Sequence, residues 1–225
     1  MVNKVMMFAK LDLFTIKPYL TWKISLLFLA ACTMVGYGTG DAAVIIGMSM
    51  IYGVIFSSYP FAVGEKSALD TLYATLPVSK KQMVAGRYLF SICLTLTALM
   101  FACILSFIIT KVAGQAFDLA ITLVSALVCF LLFSLIEAVQ MPIYYKFGYT
   151  KAKFLTYLPL MAFPAATIVV STLVDESTLI PLVTNAMAWI EANMALTAVF
   201  AAVLWAGMML LSAALSYKLY KTREF

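Results

Sequence analysis

The sequence predicts an all-α integral membrane protein with six membrane-spanning helices, and three observations carry that expectation. Of its 225 residues, 64% are hydrophobic and only 11% charged, where a soluble domain carries about 25% charge. The apolar residues gather in long runs, each able to cross a hydrocarbon core of about 30 Å as a helix rising about 1.5 Å per residue. The basic residues gather in alternate connections, as the positive-inside rule requires of a chain that crosses a bilayer repeatedly.

The first twenty residues, MVNKVMMFAKLDLFTIKPYL, mix charge with apolar residues and offer no small-residue cleavage pattern, so the first apolar run is expected to stay in the mature protein. Charge-free stretches then run from Ile24 to Gly40, Ala42 to Gly64, Tyr88 to Thr110, Leu119 to Ile136, Phe154 to Val174 and Ala192 to Tyr217. The first is short unless it begins before Lys23, whose long stem can snorkel beside Tyr19 and Trp22. The fourth is expected to continue past Glu137 toward Pro142. With these extensions the spans cover about 19–40, 42–64, 84–110, 118–141, 154–174 and 192–217 of a single transmembrane domain, 1–225. Continuous apolar stretches of this length read as helices, since barrel strands need only about ten alternating residues.

With the N-terminus inside, the inner segments hold Lys4, Lys10, Lys17, Lys23, Lys66, Lys80, Lys81, Arg87, Lys146, Lys151, Lys153, Lys218, Lys221 and Arg223, leaving Lys111 outside. The opposite orientation would invert this ratio, so both termini are expected in the cytoplasm. The outer segment from Asp175 to Glu191 is too apolar for a free loop and is interrupted by Pro181, which predicts short helices dipping into the outer leaflet or capping the bundle.

The longest inner connection, between spans two and three, divides at Pro77. Leu69, Leu72, Tyr73 and Leu76 share one helical face, while Glu65, Lys66, Asp70 and Thr71 supply polar positions. After the proline, Ser79 and Gln82 form a capping-box pattern that starts a new helix. By composition the amphipathic stretch is either an interfacial anchor or a docking surface for a cytoplasmic partner.

The run Gly64-Glu65-Lys66-Ser67 followed by Thr75-Leu76-Pro77-Val78-Ser79-Lys80-Lys81-Gln82 resembles the inner loop of small six-span permeases of type-2 ATP-binding-cassette (ABC) transporters. A second stretch, Pro142-Ile143-Tyr144-Tyr145-Lys146-Phe147-Gly148-Tyr149 with Lys151-Ala152-Lys153, resembles the family's segment after span four. Gly64 stands where the family usually has Asp, and Ala68 and Leu69 stand where an aromatic residue often follows. The resemblance implies a coupling helix over 65–76, with Glu65, Lys66, Ser67, Leu69, Asp70, Leu72, Tyr73 and Leu76 meeting a separate ATPase. It also implies an N-terminal interfacial helix near 3–17 and an outer re-entrant hairpin at 175–191. Two ATPase copies carrying ATP and Mg, and a second permease subunit in a homodimer or heterodimer, would complete the assembly.

The residues themselves bound the chemistry. No GxxxxGK[ST] phosphate-binding loop is present, so no cofactor is expected on this chain. There is no His, which removes Ser/His/Asp, Cys/His and HExxH constellations. Cys32, Cys93, Cys103 and Cys129 lie in apolar runs without metal-ligand spacing, and a net charge of +5 is what bilayer loops carry, so no nucleic acid is implied. Glu137 interrupts an apolar run near the expected inner interface, where Lys146 or Lys151 can reach it, and is a functional candidate. Ser57, Ser58 and Tyr59 form a polar patch beside Pro60, while Gly36, Gly40 and the Ala198, Ala202, Ala206 series allow close helix approach. The 14 Met together with the 16 Phe, 12 Tyr and 3 Trp can line an adaptable apolar path. With the resemblance, which is closest to exporters of cytolytic peptides such as phenol-soluble modulins, these residues predict an ATP-driven exporter of a hydrophobic or amphipathic substrate, an antimicrobial or cytolytic peptide or a drug, in the bacterial cytoplasmic membrane. A non-transporting scaffold or immunity protein that sequesters a peptide is the alternative.

Overall fold

Backbone groups within a bilayer have no water to bond, so apolar runs of this length satisfy them internally as helices. The computed structural model describes residues 2–39, 42–67, 78–114, 116–155, 157, 161, 181, 184–186, 188–190 and 192–222, and their regular structure is all helical. Helix α1 is Val2–Ile16, followed by the 3-10 turn Lys17–Tyr19; α2 is Trp22–Thr39, α3 Ala42–Lys66, α4 Lys80–Val112, α5 Leu119–Phe147 and α6 Met194–Lys221. A further helical stretch covers 149–155. Among the described residues, the five helices α2 to α6 are long and apolar enough to cross a membrane. The expected fifth span, 154–174, and the outer segment 175–191 lie mostly outside the described residues, as do Leu69, Asp70, Leu72, Tyr73 and Leu76 of the expected coupling helix.

Local chemistry sets the helix starts. Ser79 caps α4 with a reciprocal box, its Oγ accepting the Gln82 N–H at 3.3 Å while its own N–H donates to Gln82 Oε1 at 3.1 Å. Asp118 Oδ1 caps α5 by accepting from the Ala120 and Ile121 N–H groups at 2.8 and 3.1 Å.

Two boundaries differ from the sequence expectation. Glu65 and Lys66 complete the last turn of α3 rather than open a separate coupling helix, and the chain turns at Ser67. Helix α5 does not stop near 141 but runs through Pro142 to Phe147. A proline inside a helix deprives the carbonyl four residues earlier of its donor. Here that carbonyl belongs to Ala138, and the Ser212 hydroxyl of α6 donates to it instead.

The packing places α3 at the centre, against α4 and α5, with α2 beside it, α6 on α5, and α1 laid along α4. A Cβ on Gly36 would meet Ile45 Cγ1 at 2.7 Å, so this glycine serves close approach of α2 and α3 within the subunit. Ala198 and Ala202 instead face outward. The largest core cluster, which includes Phe8, Phe61, Met83, Met141, Tyr144, Tyr145, Met209 and Tyr220, sits toward the end of the bundle bearing Lys66, Lys80, Lys146 and Lys221. We call this the basic end. The exteriors of α2 and α6 are apolar, with Leu27, Met34, Phe200 and Leu211 all more than two-thirds exposed at 75, 81, 69 and 74%, as suits contact with lipid.

Candidate functional site: the basic end and the polar core behind it

The buried face of α1 reads Phe8, Asp12, Ile16, one residue per turn. Asp12 is therefore carried into the bundle by the apolar residues on either side of it, and Arg87 meets it from about two turns into α4. Asp12 Oδ2 lies 3.6 Å from Arg87 Nε, an ion pair longer than a hydrogen bond, with both side chains closed off. The guanidinium carbon also lies 4.2 Å from the Phe61 ring centroid, a cation–π contact. Burial pushes the Asp12 carboxyl up to about 6, against the opposing pull of the Arg87 charge.

Beside this pair, Phe61, Glu65, Arg87, Tyr144, Tyr145, Gly148, Tyr149 and Tyr220 enclose a cavity of about 10 Å³, room for at most one water. The Phe61 ring packs 5.0 Å from Tyr144 and 5.1 Å from Tyr145, joining α3 to α5. Lys80 closes the same end by reaching the Tyr220 and Lys221 carbonyls, each at 3.5 Å, where the α6 dipole favours a cation.

Glu65 reaches from the last turn of α3 to the start of the 149–155 helix. Its Oε2 accepts the Thr150 N–H at 2.8 Å, across 85 residues of sequence. Gly148 separates α5 from that helix with φ 78°, and a Cβ there would lie 3.2 Å from Glu65 Oε2. The 64–67 run and the 142–149 stretch, each part of what carries the family resemblance, thus meet at Glu65 and Gly148.

Deeper in the bundle, Glu137 is 1% exposed. Thr95 Oγ1 donates to its Oε2 at 2.8 Å, and the Ser57 and Ser91 hydroxyls face the same carboxyl. Glu137 does not sit at the interface beside Lys146 or Lys151, because α5 continues ten residues past it, about 15 Å, and those two lysines are exposed. One turn toward the basic end on α4, the Tyr88 hydroxyl bonds Ser212 at 2.6 Å and Ser216 at 2.8 Å. Since the Ser212 proton goes to Ala138, Ser212 accepts from Tyr88, and Tyr88 accepts from Ser216.

The expected polar patch divides by face. Ser57 donates to Val54 O at 2.8 Å and Ser58 to Ile55 O at 2.7 Å, both within α3. Tyr59 turns away from Glu137, stacking on Phe56 at 4.9 Å and meeting Tyr19 edge-on at 5.5 Å. The sequence reading did not single out Asp12, Arg87, Thr95 or Tyr88. The signal for Asp12 was present, an acid at i+4 between two apolar residues of one helical face.

Residues 9–221 match the family model described as ABC-2 family transporter protein. The chain belongs to that family. A search of curated proteins and one of solved structures returned no match. As a member of the ABC-2 family, the chain is the membrane component, or permease, of an ABC transporter, and its apolar helices make it multi-pass. What the basic end offers this permease is a junction where α1, α3, α4, α5 and α6 converge beside the point at which residues 68–77 leave α3.

Proposed function

We propose that this permease forms the membrane pathway of an ATP-driven exporter that moves a hydrophobic or amphipathic molecule outward across the bacterial cytoplasmic membrane. The observation that carries the reading is the family match over 9–221, and the apolar, Met-rich and aromatic composition supports a lipid-like or peptide substrate, antimicrobial or cytolytic. In this reading the single domain crosses the bilayer six times, with 154–174 as the fifth span, 175–191 as an outer re-entrant hairpin and α1 lying at the cytoplasmic interface. Both termini and the basic end face the cytoplasm, in keeping with the basic residues gathered there.

Residues 65–76 form the contact with a separate ABC ATPase, present in two copies and carrying ATP and Mg. A second permease subunit, identical or related, completes the pathway. Glu65, Lys66 and Ser67 begin this contact at the end of α3, and Leu69, Leu72, Tyr73 and Leu76 supply its apolar face.

The test is co-expression with the ATPase encoded nearest to this chain, purification through a tag on this chain alone, and measurement of hydrolysis with and without amphipathic cytolytic peptides. Co-purification with peptide-stimulated hydrolysis is the expected result. A chain that purifies alone and binds peptide without hydrolysis would defeat the exporter reading in favour of a sequestering scaffold or immunity protein.

A further inference from the structure

We propose that Glu65 is a positioning residue of the transport cycle, a latch whose carboxylate caps the helix that opens span five and so ties its start to the end of α3. The proposal rests on the permease reading above for its role in a cycle, and on geometry alone for the latch itself.

The first helical bond of the 149–155 helix runs from the Ala152 N–H to the Gly148 carbonyl at 3.2 Å. Gly148 is therefore the N-cap residue, and the Thr150 N–H belongs to the first turn, whose donors have no partner inside the helix. An N-cap side chain ordinarily accepts such a donor, but glycine has none. Glu65 Oε2 takes its place at 2.8 Å, supplied from another helix. Its charge fits this end better than the one it comes from, because at the C-terminus of α3 a carboxylate opposes the dipole of its own helix, while at the start of the next it is favoured.

Gly148 permits the arrangement twice over. Its φ of 78° is strained for any L side chain, and a Cβ would press on Glu65 Oε2 at 3.2 Å and on Cδ and Oε1 at 3.4 Å. Helix α5 ends and the next helix begins at this one residue, with the Gly148 N–H bonded back to Tyr144 O at 2.9 Å. The junction is thus a single-residue pivot held closed by a side chain that only Lys66 and Ser67 separate from 68–77. A force that moves Lys66 and Ser67 must carry the start of span five with it or break this bond.

The full chain in lipid nanodiscs decides the latch by hydrogen exchange. Glu65→Ala is expected to speed exchange of the first-turn amides of the 149–155 helix about five- to tenfold, the scale of a lost cap. Glu65→Gln, which keeps an oxygen able to accept the Thr150 N–H, is expected to restore most of the protection. Unchanged exchange in Glu65→Ala, or no rescue by Glu65→Gln, overturns the latch.

The complex recovered with the partner ATPase then decides its role. ATP with vanadate is expected to alter exchange over 149–155 in the wild type and in Glu65→Gln, but not in Glu65→Ala, each read on isolated complex of equal ATPase occupancy whatever its yield. A full response in Glu65→Ala overturns the positioning role. Failure of the wild-type chain to recover any ATPase defeats the permease reading instead, and the first arm still decides the latch.

Discussion

The Ser212 hydroxyl of α6 donates to the Ala138 carbonyl of α5, the acceptor that Pro142 leaves without its helical partner. The same Ser212 accepts from Tyr88 of α4, so one hydroxyl joins three helices at a point where α5 would otherwise expose a bare carbonyl in an apolar core. Removing it leaves a buried acceptor unsatisfied, at a cost of about 1–3 kcal/mol. Ser212→Ala is expected to lower the thermal unfolding midpoint in detergent. Pro142→Ala restores an N–H for Ala138, so the double variant should recover much of that loss. Additive losses would show that Ser212 does not act through the proline.

The buried pair of Asp12 and Arg87 fixes α1 to α4 and makes that docking depend on pH. Removing either partner alone strands a buried charge, so Arg87→Ala is expected to cost about 3–5 kcal/mol, whereas joint replacement by apolar residues of similar size should be near neutral. The docked carboxyl sits near 6 and its ordinary value is 3.8, so docked α1 holds the proton more tightly than free α1. Docking is therefore strongest at low pH and weakens as pH rises through about 6. Thermal midpoints measured from pH 5 to pH 8 should fall for the wild type relative to Asp12→Asn, which carries no titrating group there. Parallel curves would contradict this account.

The helices of this fold were legible because their cause is local and their ends carry local signals. The charge-free runs marked α2 to α6, and the box at Ser79 and Gln82 marked the start of α4 to the residue. The errors fell where a distant side chain decides the outcome. Pro142 reads as a stop until Ser212, 74 residues away from Ala138, supplies the missing donor. Glu65 reads as the beginning of a surface helix until Thr150 is brought to it. Arg87 reads as one of the inner basic residues and Asp12 as part of the charged N-terminal stretch, since nothing in either neighbourhood announces the other. The candidate site was visible as two separate motifs, and their meeting at Gly148 was not.

Glu137 offers a sharp separation between a carboxyl needed for its shape and one needed for its charge. Its Oε2 accepts from Thr95, and it is enclosed by α3, α4 and α5 with no basic side chain bonded to it among the described contacts. Glu137→Gln keeps an acceptor of the same size for Thr95 and should leave the unfolding free energy within about 1 kcal/mol of the wild type, the worth of one ordinary hydrogen bond. Glu137→Leu turns the Thr95 proton to the Ser91 carbonyl, 2.9 Å away, and leaves the Ser91 hydroxyl facing an apolar group, which is expected to cost about 1–3 kcal/mol. A severe loss in Glu137→Gln equal to that of Glu137→Leu would mean that the charge itself holds the helices.

The docking face proposed for 65–76 yields the most direct test of partner contact. Leu69, Leu72, Tyr73 and Leu76 recur at helical spacing on one side, and a face of this kind binds through a few buried apolar anchors. Aspartate in place of both Leu72 and Tyr73 puts charge at the centre of that face, where burial without a partner costs several kcal/mol. Neither position belongs to an apolar run that must enter the bilayer, so insertion and the spectrum of the bundle should survive. The tagged double variant is expected to recover at least about tenfold less ATPase than the wild type, the change given by each 1.4 kcal/mol. Membrane insertion with undiminished ATPase recovery would remove Leu72 and Tyr73 from the contact and leave this stretch as an interfacial anchor.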